Sequence, residues 1–245
     1  MKAMKKIIIV GATSGIGLEL TKIFIDKGWR VGIAGRRKHL LSSLKKQFPQ
    51  QVEYEVIDVM STEAPQALKR LVSKLGGMDI YFHSAGIGFQ NPSLDMEIEA
   101  KTVQTNVYGF TQLLNVAFHY FQQQQQGHIA IISSIAGTKG LGVAPAYSAT
   151  KRFQNTYIDA LEQLSRLRKS NILFTDIKPG FVQTDLLKGG GNYPLLMKPN
   201  NVAQHVYRAL INKKRRVIID WRYKILVFGW KLIPNSLWKL LPIKN

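Results

Sequence analysis

The stretch Ile7-Ile8-Ile9-Val10-Gly11-Ala12-Thr13-Ser14-Gly15-Ile16-Gly17 decides the fold. Its first four residues form a β-branched run that reads as a buried strand. Three glycines follow in GxxxGxG spacing, and a helical pattern then begins through Leu18, Leu20, Ile23 and Phe24. Strand, glycine-rich turn and helix in direct succession are the context of a dinucleotide-binding loop. The glycines permit a tight turn and close backbone approach to a pyrophosphate. The helix start supplies free N–H groups and the positive end of a dipole. A plain strand-to-helix turn is the alternative. The whole turn and both flanks favour the loop.

Outward from this stretch, strand patterns lie near residues 6–10, 29–34, 52–57, 79–84, 128–133, 172–177 and 216–220, with helical patterns between them. Such alternation predicts an α/β fold: a Rossmann-like, doubly wound, seven-stranded, mostly parallel sheet in three layers. Substrate then belongs outside the carboxyl ends of the strands. The organisation reads as one catalytic domain over 1–220 and a basic, tryptophan-rich helical tail over 221–245.

The second strand ends in Gly35-Arg36-Arg37. An acid at this strand end would take the ribose 2′-hydroxyl of NAD, and there is none. Two guanidinium groups suit a 2′-phosphate, which favours NADP. A basic helix start is the plainer reading. The third strand ends in Asp58-Val59, where the carboxylate can accept from an adenine amino group or serve as a turn aspartate.

Tyr147-Ser148-Ala149-Thr150-Lys151 places a phenol and an ammonium one helical turn apart, with Ser134 thirteen residues upstream. An ammonium beside a phenol lowers its pKa, so that it can exchange a proton with a carbonyl or an alcohol. Ser134 can bond the same oxygen. Alone, the YxxxK spacing is equally a helical Tyr and a solvated Lys.

Together these residues resemble the short-chain dehydrogenase/reductase family over roughly residues 5–220. The match includes Gly11–Gly17, Asp58-Val59, Ala85-Gly86, Asn106, Ser133-Ser134, Tyr147, Lys151, Pro179-Gly180 and Thr184. The resemblance implies a general acid/base role for Tyr147 and carbonyl binding by Ser134. It implies that Lys151 holds the nicotinamide ribose and tunes Tyr147, and that Asn106 positions a relay water leading to Lys151. Gly11, Thr13, Ser14, Gly15, Ile16, Gly17, Asp58, Val59, Ala85 and Gly86 would line the cofactor. Ser14, Arg36 and Arg37 would read the 2′-phosphate, and Pro179, Gly180, Val182 and Thr184 would clamp the nicotinamide carboxamide. One departure stands out: where the family carries Asn-Asn-Ala-Gly, this chain has His83-Ser84-Ala85-Gly86. That puts a bracing hydrogen-bond network in question. For His83 the favoured reading is a hydrogen-bonded strand-end histidine, not an acid/base.

The chain has 245 residues, no cysteine and five scattered histidines, so thiol catalysis is excluded and no metal is required. The N-terminal apolar run is too short for a signal peptide, so a cytoplasmic protein is expected, possible membrane-peripheral contact aside. The run Gln122–Gln126 reads as a solvated helix end. The resemblance implies that the segment 185–200 is a mobile substrate lid, for which the three glycines 189–191 would be the hinge; an ordinary loop closing over the cofactor alone is the alternative. Its Leu186, Leu187, Tyr193, Leu195, Leu196 and Met197 would cover an apolar ketone or alcohol, such as a 3-keto sphingoid base.

The net charge is +19. From Lys213 onward there are nine Lys/Arg against one acid, Asp220, and three of the four tryptophans. No apolar run there is long enough to span a bilayer. The composition suits a membrane surface bearing anionic lipids. Packing of the tail on its own domain, or across the expected homodimer, competes evenly and is compatible. No nucleic-acid module is present. The leading expectation is thus an NADPH-dependent carbonyl reductase. The alternatives are an NADP-dependent dehydrogenase or epimerase of a sugar or small metabolite, and a non-catalytic, cofactor-binding scaffold at a membrane surface. The complete Asn106, Ser134, Tyr147 and Lys151 set argues against the scaffold.

Overall fold

The computed structural model describes residues 4–187 and 193–243. Seven strands form one sheet: β1 (Lys6–Val10), β2 (Arg30–Gly35), β3 (Val52–Val56), β4 (Ile80–His83), β5 (Gln126–Ile132), β6 (Asn171–Lys178) and β7 (Arg216–Ile218). Their order is β3-β2-β1-β4-β5-β6-β7, and every neighbouring pair is parallel. Parallel neighbours need crossovers, and helices supply them. These are α1 (Gly15–Asp26), α2 (Lys38–Gln47), α3 (Ala64–Leu75), α4 (Met96–Val103), α5 (Phe110–Gln123), α6 (Pro145–Leu167) and α7 (Pro199–Ile211).

The period of two along β1 builds two cores at once. Ile7 and Ile9 enter one core with Leu20, Leu41, Val202 and Val206, from α1, α2 and α7. Ile8 and Val10 enter the other with Leu68, Leu113 and Ile158, from α3, α5 and α6. A strand buried on both faces reads as an unbroken apolar run, which is why residues 7–10 show no alternation. The three-layer, doubly wound expectation holds.

Most strand ends differ from the sequence reading by a residue or two, and three of them are informative. β2 starts at Arg30, because Trp29 still belongs to the turn after α1, its N–H donating to the Phe24 carbonyl at 3.0 Å. β5 starts at Gln126, inside the glutamine run; Gln123–Gln126 are exposed. β7 stops at Ile218, because Asp220 turns into a positive φ of 74° and caps a further helix.

That helix is α8 (Trp221–Leu232), followed by the single turn α9 (Asn235–Trp238). Both dock on the loop after β5. The Trp238 indole donates to the Gly140 carbonyl at 2.7 Å, and the Lys139 ammonium donates to the Ile233 carbonyl at 2.8 Å. Tyr223, 1% exposed, packs with Ile135 and Val227.

Winding reverses between β1 and β4, where Val10 stands opposite His83. In open parallel sheets this switch point is where a crevice opens at the carboxyl ends of the strands.

Candidate active site

The glycine turn closes on the switch point. Gly11 has φ 91°, and a Cβ there would lie 2.6 Å from the Ala85 nitrogen. A Cβ on Gly17 would collide with the Gly11 carbonyl oxygen. Only glycine permits these approaches, and they bring the turn against Ala85. Ile16 is buried and holds α1 to the sheet. Ser14 stands at the N-cap of α1 without a side-chain capping bond. Thr184 approaches the same turn, its methyl 3.0 Å from where a Gly15 Cβ would stand. A cavity of about 330 Å³ between Gly15, Glu19, Gln183, Thr184, Asp185 and Pro199 lies alongside.

At the end of β2 the Arg37 guanidinium donates to the Thr13 hydroxyl from Nε at 3.1 Å and Nη2 at 2.9 Å. Its Nη1 lies 3.6 Å from Asp185. Arg36 is exposed. The Asp58 carboxylate accepts from the Met60 N–H at 3.0 Å, which is the turn role, and Val59 is buried beneath Gly109.

The second cluster gathers on α6. Lys151, 5% exposed, donates to the Ile132 carbonyl at 3.2 Å and to Gln154 Oε1 at 3.0 Å. Gln154 Nε2 donates to the Asn106 carbonyl at 2.9 Å. That carbonyl belongs to a widened π-helical turn, Gln104–Gly109, inserted between α4 and α5. Such turns recur at functional sites because they displace a carbonyl from the regular ladder. The Asn106 side chain clasps Ile87, accepting its N–H at 2.9 Å and donating to its carbonyl at 2.7 Å. The Ala85-Gly86 step joins the two clusters: Ala85 lies against Gly11, and a Cβ on Gly86 would lie 3.2 Å from Asn106 Oδ1 and 3.6 Å from Lys151 Nζ.

Tyr147 lies partly exposed at the mouth, with Gly88 against its ring and Leu186 beside them. Ser134 is buried, its hydroxyl accepting from Ala136 N–H at 3.1 Å. Burial raises the Tyr147 pKa in the free protein, although the neighbouring Ser134 hydroxyl acts the other way. This corrects the expectation of a phenol drawn down by Lys151. The ammonium lies over the ring, 5.8 Å from its centroid, and loses part of its own charge preference: burial lowers the Lys151 pKa to about 8, against the opposing pull of Asp176.

Gln154 and Asp176 were missed by sequence reasoning. Asp176, 1% exposed, accepts from Ser133 Oγ at 2.5 Å and Asn155 Nδ2 at 3.1 Å. The signal for Gln154 was its position three residues after Lys151 on one helix face. The signal for Asp176 was a lone acid in an apolar strand.

His83 keeps the structural role. Its Nδ1 pairs with the Tyr81 hydroxyl at 2.8 Å, and burial with the Lys151 charge lowers its pKa to about 3. A neutral, enclosed imidazole takes no part in proton exchange near neutrality.

The segment expected to clamp the carboxamide makes contacts on two sides. Pro179 accepts from Ile135 N–H at 3.1 Å, and Val182 is buried and paired with Met197. Gly180, however, faces the tail: a Cβ there would run into the Tyr223 ring. Its missing side chain makes room for α8. The glycines 189–191 of the expected hinge lie outside the described residues, whereas Leu186, Leu195 and Leu196 are exposed.

Among the described residues, no group of three or more His, Cys, Asp or Glu is placed to hold a metal ion, and no helix is long and apolar enough to cross a membrane.

Comparison with known proteins agrees with this geometry. An uncharacterized oxidoreductase of Myxococcus xanthus is 29% identical over 238 residues, covering 94% of this chain and 93% of its own. The dehydrogenase/reductase SDR family member 7B of Mus musculus is 26% identical, covering 96% of this chain and 79% of its own. Among solved structures, ElxO with NADP bound superposes with a TM-score of 0.78 at 22% identity, over 89% of this chain and 98% of its own. A 3-ketoacyl-(acyl-carrier-protein) reductase from Brucella melitensis complexed with NADH gives 0.77 at 22% identity, over 88% and 96%. The sequence profile described as short chain dehydrogenase matches residues 5–191, and the chain therefore belongs to the short-chain dehydrogenase family of oxidoreductases.

Proposed function

We propose that the protein is an NADPH-dependent carbonyl reductase acting on a lipophilic ketone, reversibly an alcohol dehydrogenase. The observation that carries this reading is the convergence, along the Ala85–Gly88 loop, of the glycine turn at Ala85, Asn106 and Lys151 at Gly86, and Tyr147, paired with Ser134, at Gly88. The residues fit a dinucleotide: a glycine turn with no room for side chains, a free helix start at Ser14, and guanidinium groups at the end of β2. When bound, the nicotinamide cofactor supplies the hydride. Tyr147 gives its proton to the ketone oxygen, or takes one from the alcohol. Ser134 orients that oxygen. Lys151 holds the ribose hydroxyls beside the phenol. Gln154 ties the ammonium to the Asn106 carbonyl, in the place where the resemblance implied a relay water.

NADP over NAD rests on Arg36 and Arg37 at a strand end that lacks an acid. Arg37 already reaches Thr13 on the glycine turn, so it borders the phosphate side of the cleft. The lipophilic substrate rests on Leu186 beside Tyr147 and on exposed Leu195, Leu196 and Phe89. A homodimer would use the α6 face, where Phe153 and Tyr157 stack at 5.5 Å.

The test is oxidation of NADPH and NADH against a panel of short-chain, cyclic and long-chain ketones. Turnover with NADPH that rises with chain length supports the proposal. A preference for NADH removes the cofactor assignment, and turnover only of sugars or small polar ketones removes the substrate class.

A further inference from the structure

Helix α8 is apolar on two opposite sides. Tyr223, Val227 and Trp230 recur at i, i+4 and i+7 and face the protein. Trp221, Ile225, Phe228 and Leu232 recur at i, i+4, i+7 and i+11 and face outward, each 63–67% exposed. At 3.6 residues per turn these four fall within roughly 60° of arc. Lys224 and Lys231 line one edge of the stripe, and Arg222, held by Asp220 at 2.6 Å, lies on the other. Beyond the helix, Leu237, Leu240 and Leu241 are exposed around Lys239.

This is a fixed surface. Asp220 caps the helix, Lys139 and Trp238 pin the chain after Leu232, and Tyr223 is buried beneath it. Four large apolar side chains held in water on a rigid helix mark a contact face. The charge around them selects the partner. Residues 221–245 contain no acidic residue, and the whole chain carries +19. A second copy seated symmetrically on this stripe would set lysine against lysine along an apolar seam. Nucleic acid would answer the charge but would not bury the stripe. An anionic bilayer answers both: the acyl boundary takes Trp, Ile, Phe and Leu, and the headgroups take the ammonium groups.

We propose that α8 docks the protein on an anionic lipid surface, with Trp221, Ile225, Phe228 and Leu232 inserted at the headgroup boundary and Lys224, Lys231 and Lys239 on the headgroups. The inner face of the same helix is tied to the substrate side. The Tyr223 hydroxyl accepts from Phe181 N–H at 3.1 Å and donates to the Pro194 carbonyl at 2.9 Å. Docking therefore sets the segment near Leu195 in a fixed relation to the bilayer. This inference does not depend on the reductase reading.

The experiment is co-sedimentation of the full chain with vesicles of phosphatidylcholine alone and of equimolar phosphatidylcholine and phosphatidylglycerol, at low and high salt. The expected result is binding to the anionic vesicles that weakens at high salt. K224Q/K231Q should lose only the salt-sensitive part, roughly thirtyfold for two charges. W221S/I225S/F228S should lose binding at both salt levels while keeping its circular dichroism spectrum and its NADPH affinity. Absence of vesicle binding by the unaltered chain overturns the proposal. So does undiminished binding by the triple-serine variant. So does a self-associating chain, seen by sedimentation equilibrium, that the triple-serine variant renders monomeric while vesicles have no effect.

Discussion

The Lys151 ammonium donates to the Gln154 carboxamide, Nζ to Oε1 at 3.0 Å, and the other end of that carboxamide donates to the Asn106 carbonyl at 2.9 Å. Both residues are almost fully buried, so the bond is formed where no water competes for it. Gln154 is therefore a positioning residue for Lys151. Gln154→Leu leaves a buried ammonium and a buried carbonyl short of one partner each. The expected loss is about 1–3 kcal/mol, or roughly one to two decades in turnover. A purely structural role would leave the pH profile in place. Here Gln154→Leu should move the alkaline limb of kcat/KM to lower pH, and Gln154→Glu, by adding a carboxylate, should move it to higher pH.

Tyr147→Phe tests the acid directly. The ring packs beside Gly88, and phenylalanine fills the same volume, so the fold and NADPH affinity should be kept. Turnover should fall by about 10²-fold or more, the scale of losing a positioned proton donor. Near-normal single-turnover rates in the variant would take the proton from another group.

Arg36→Ala and Arg37→Ala, separately and together, test the cofactor. Each guanidinium removed from a phosphate should cost about 1.5–3 kcal/mol in NADPH affinity. NADH affinity should change far less. Arg37 also bonds Thr13 on the glycine turn, so Arg37→Ala should show the larger effect on NADH of the two. Titration calorimetry with both cofactors reads the difference.

Lys151 gives the free protein a pH dependence of known sign. Its pKa is lowered by burial from about 10.5 to about 8. Between these values the unfolded chain binds the proton that the folded chain has released, so this group adds stability as pH rises from about 8 to 10.5. Below that window the buried charge is a full penalty, worth roughly 3 kcal/mol for a shift of this size. Lys151→Met should therefore gain most over the unaltered chain near neutral pH and lose that advantage once pH reaches the unfolded value of 10.5. Urea unfolding of both chains across this range is the measurement. A pH-independent difference would place the lysine in water.

The sheet and the glycine turn were legible because their causes are local. An unbroken apolar run, three glycines and a helical period each depend on neighbours in the chain. Tyr147 and Lys151 were legible for the same reason, one turn apart on one helix. The Tyr147 pKa was not, because it depends on burial and on where the Lys151 side chain turns after folding. Gln154 reaching Asn106 across 48 residues, and Gly180 beneath Tyr223, were illegible in the same way. In both, the reason for the residue lies on another element.

Gly180 and Tyr223 supply the test of how the tail is joined to the domain. A Cβ on Gly180 would overlap the ring, and the ring cannot yield because its hydroxyl is bonded to Phe181, Pro194 and Leu195. Gly180→Ala should cost about 1–3 kcal/mol by overpacking. Tyr223→Ala should cost about 3–5 kcal/mol by emptying a fully buried aromatic site. The two costs should not add. Once the ring is gone, the methyl group introduced by Gly180→Ala meets no clash, so the double variant should unfold at a denaturant concentration close to that of Tyr223→Ala alone. Additive losses would mean that the two residues do not touch. By the same contacts, a chain ending at Asp220 should be less stable than the full chain, since it exposes Ile135 and the surface of Gly180 as well as losing the tail. The stripe variants of α8, which leave Tyr223 and Val227 in place, should unfold with the full chain, and that separates what the inner face of the helix holds from what its outer face meets.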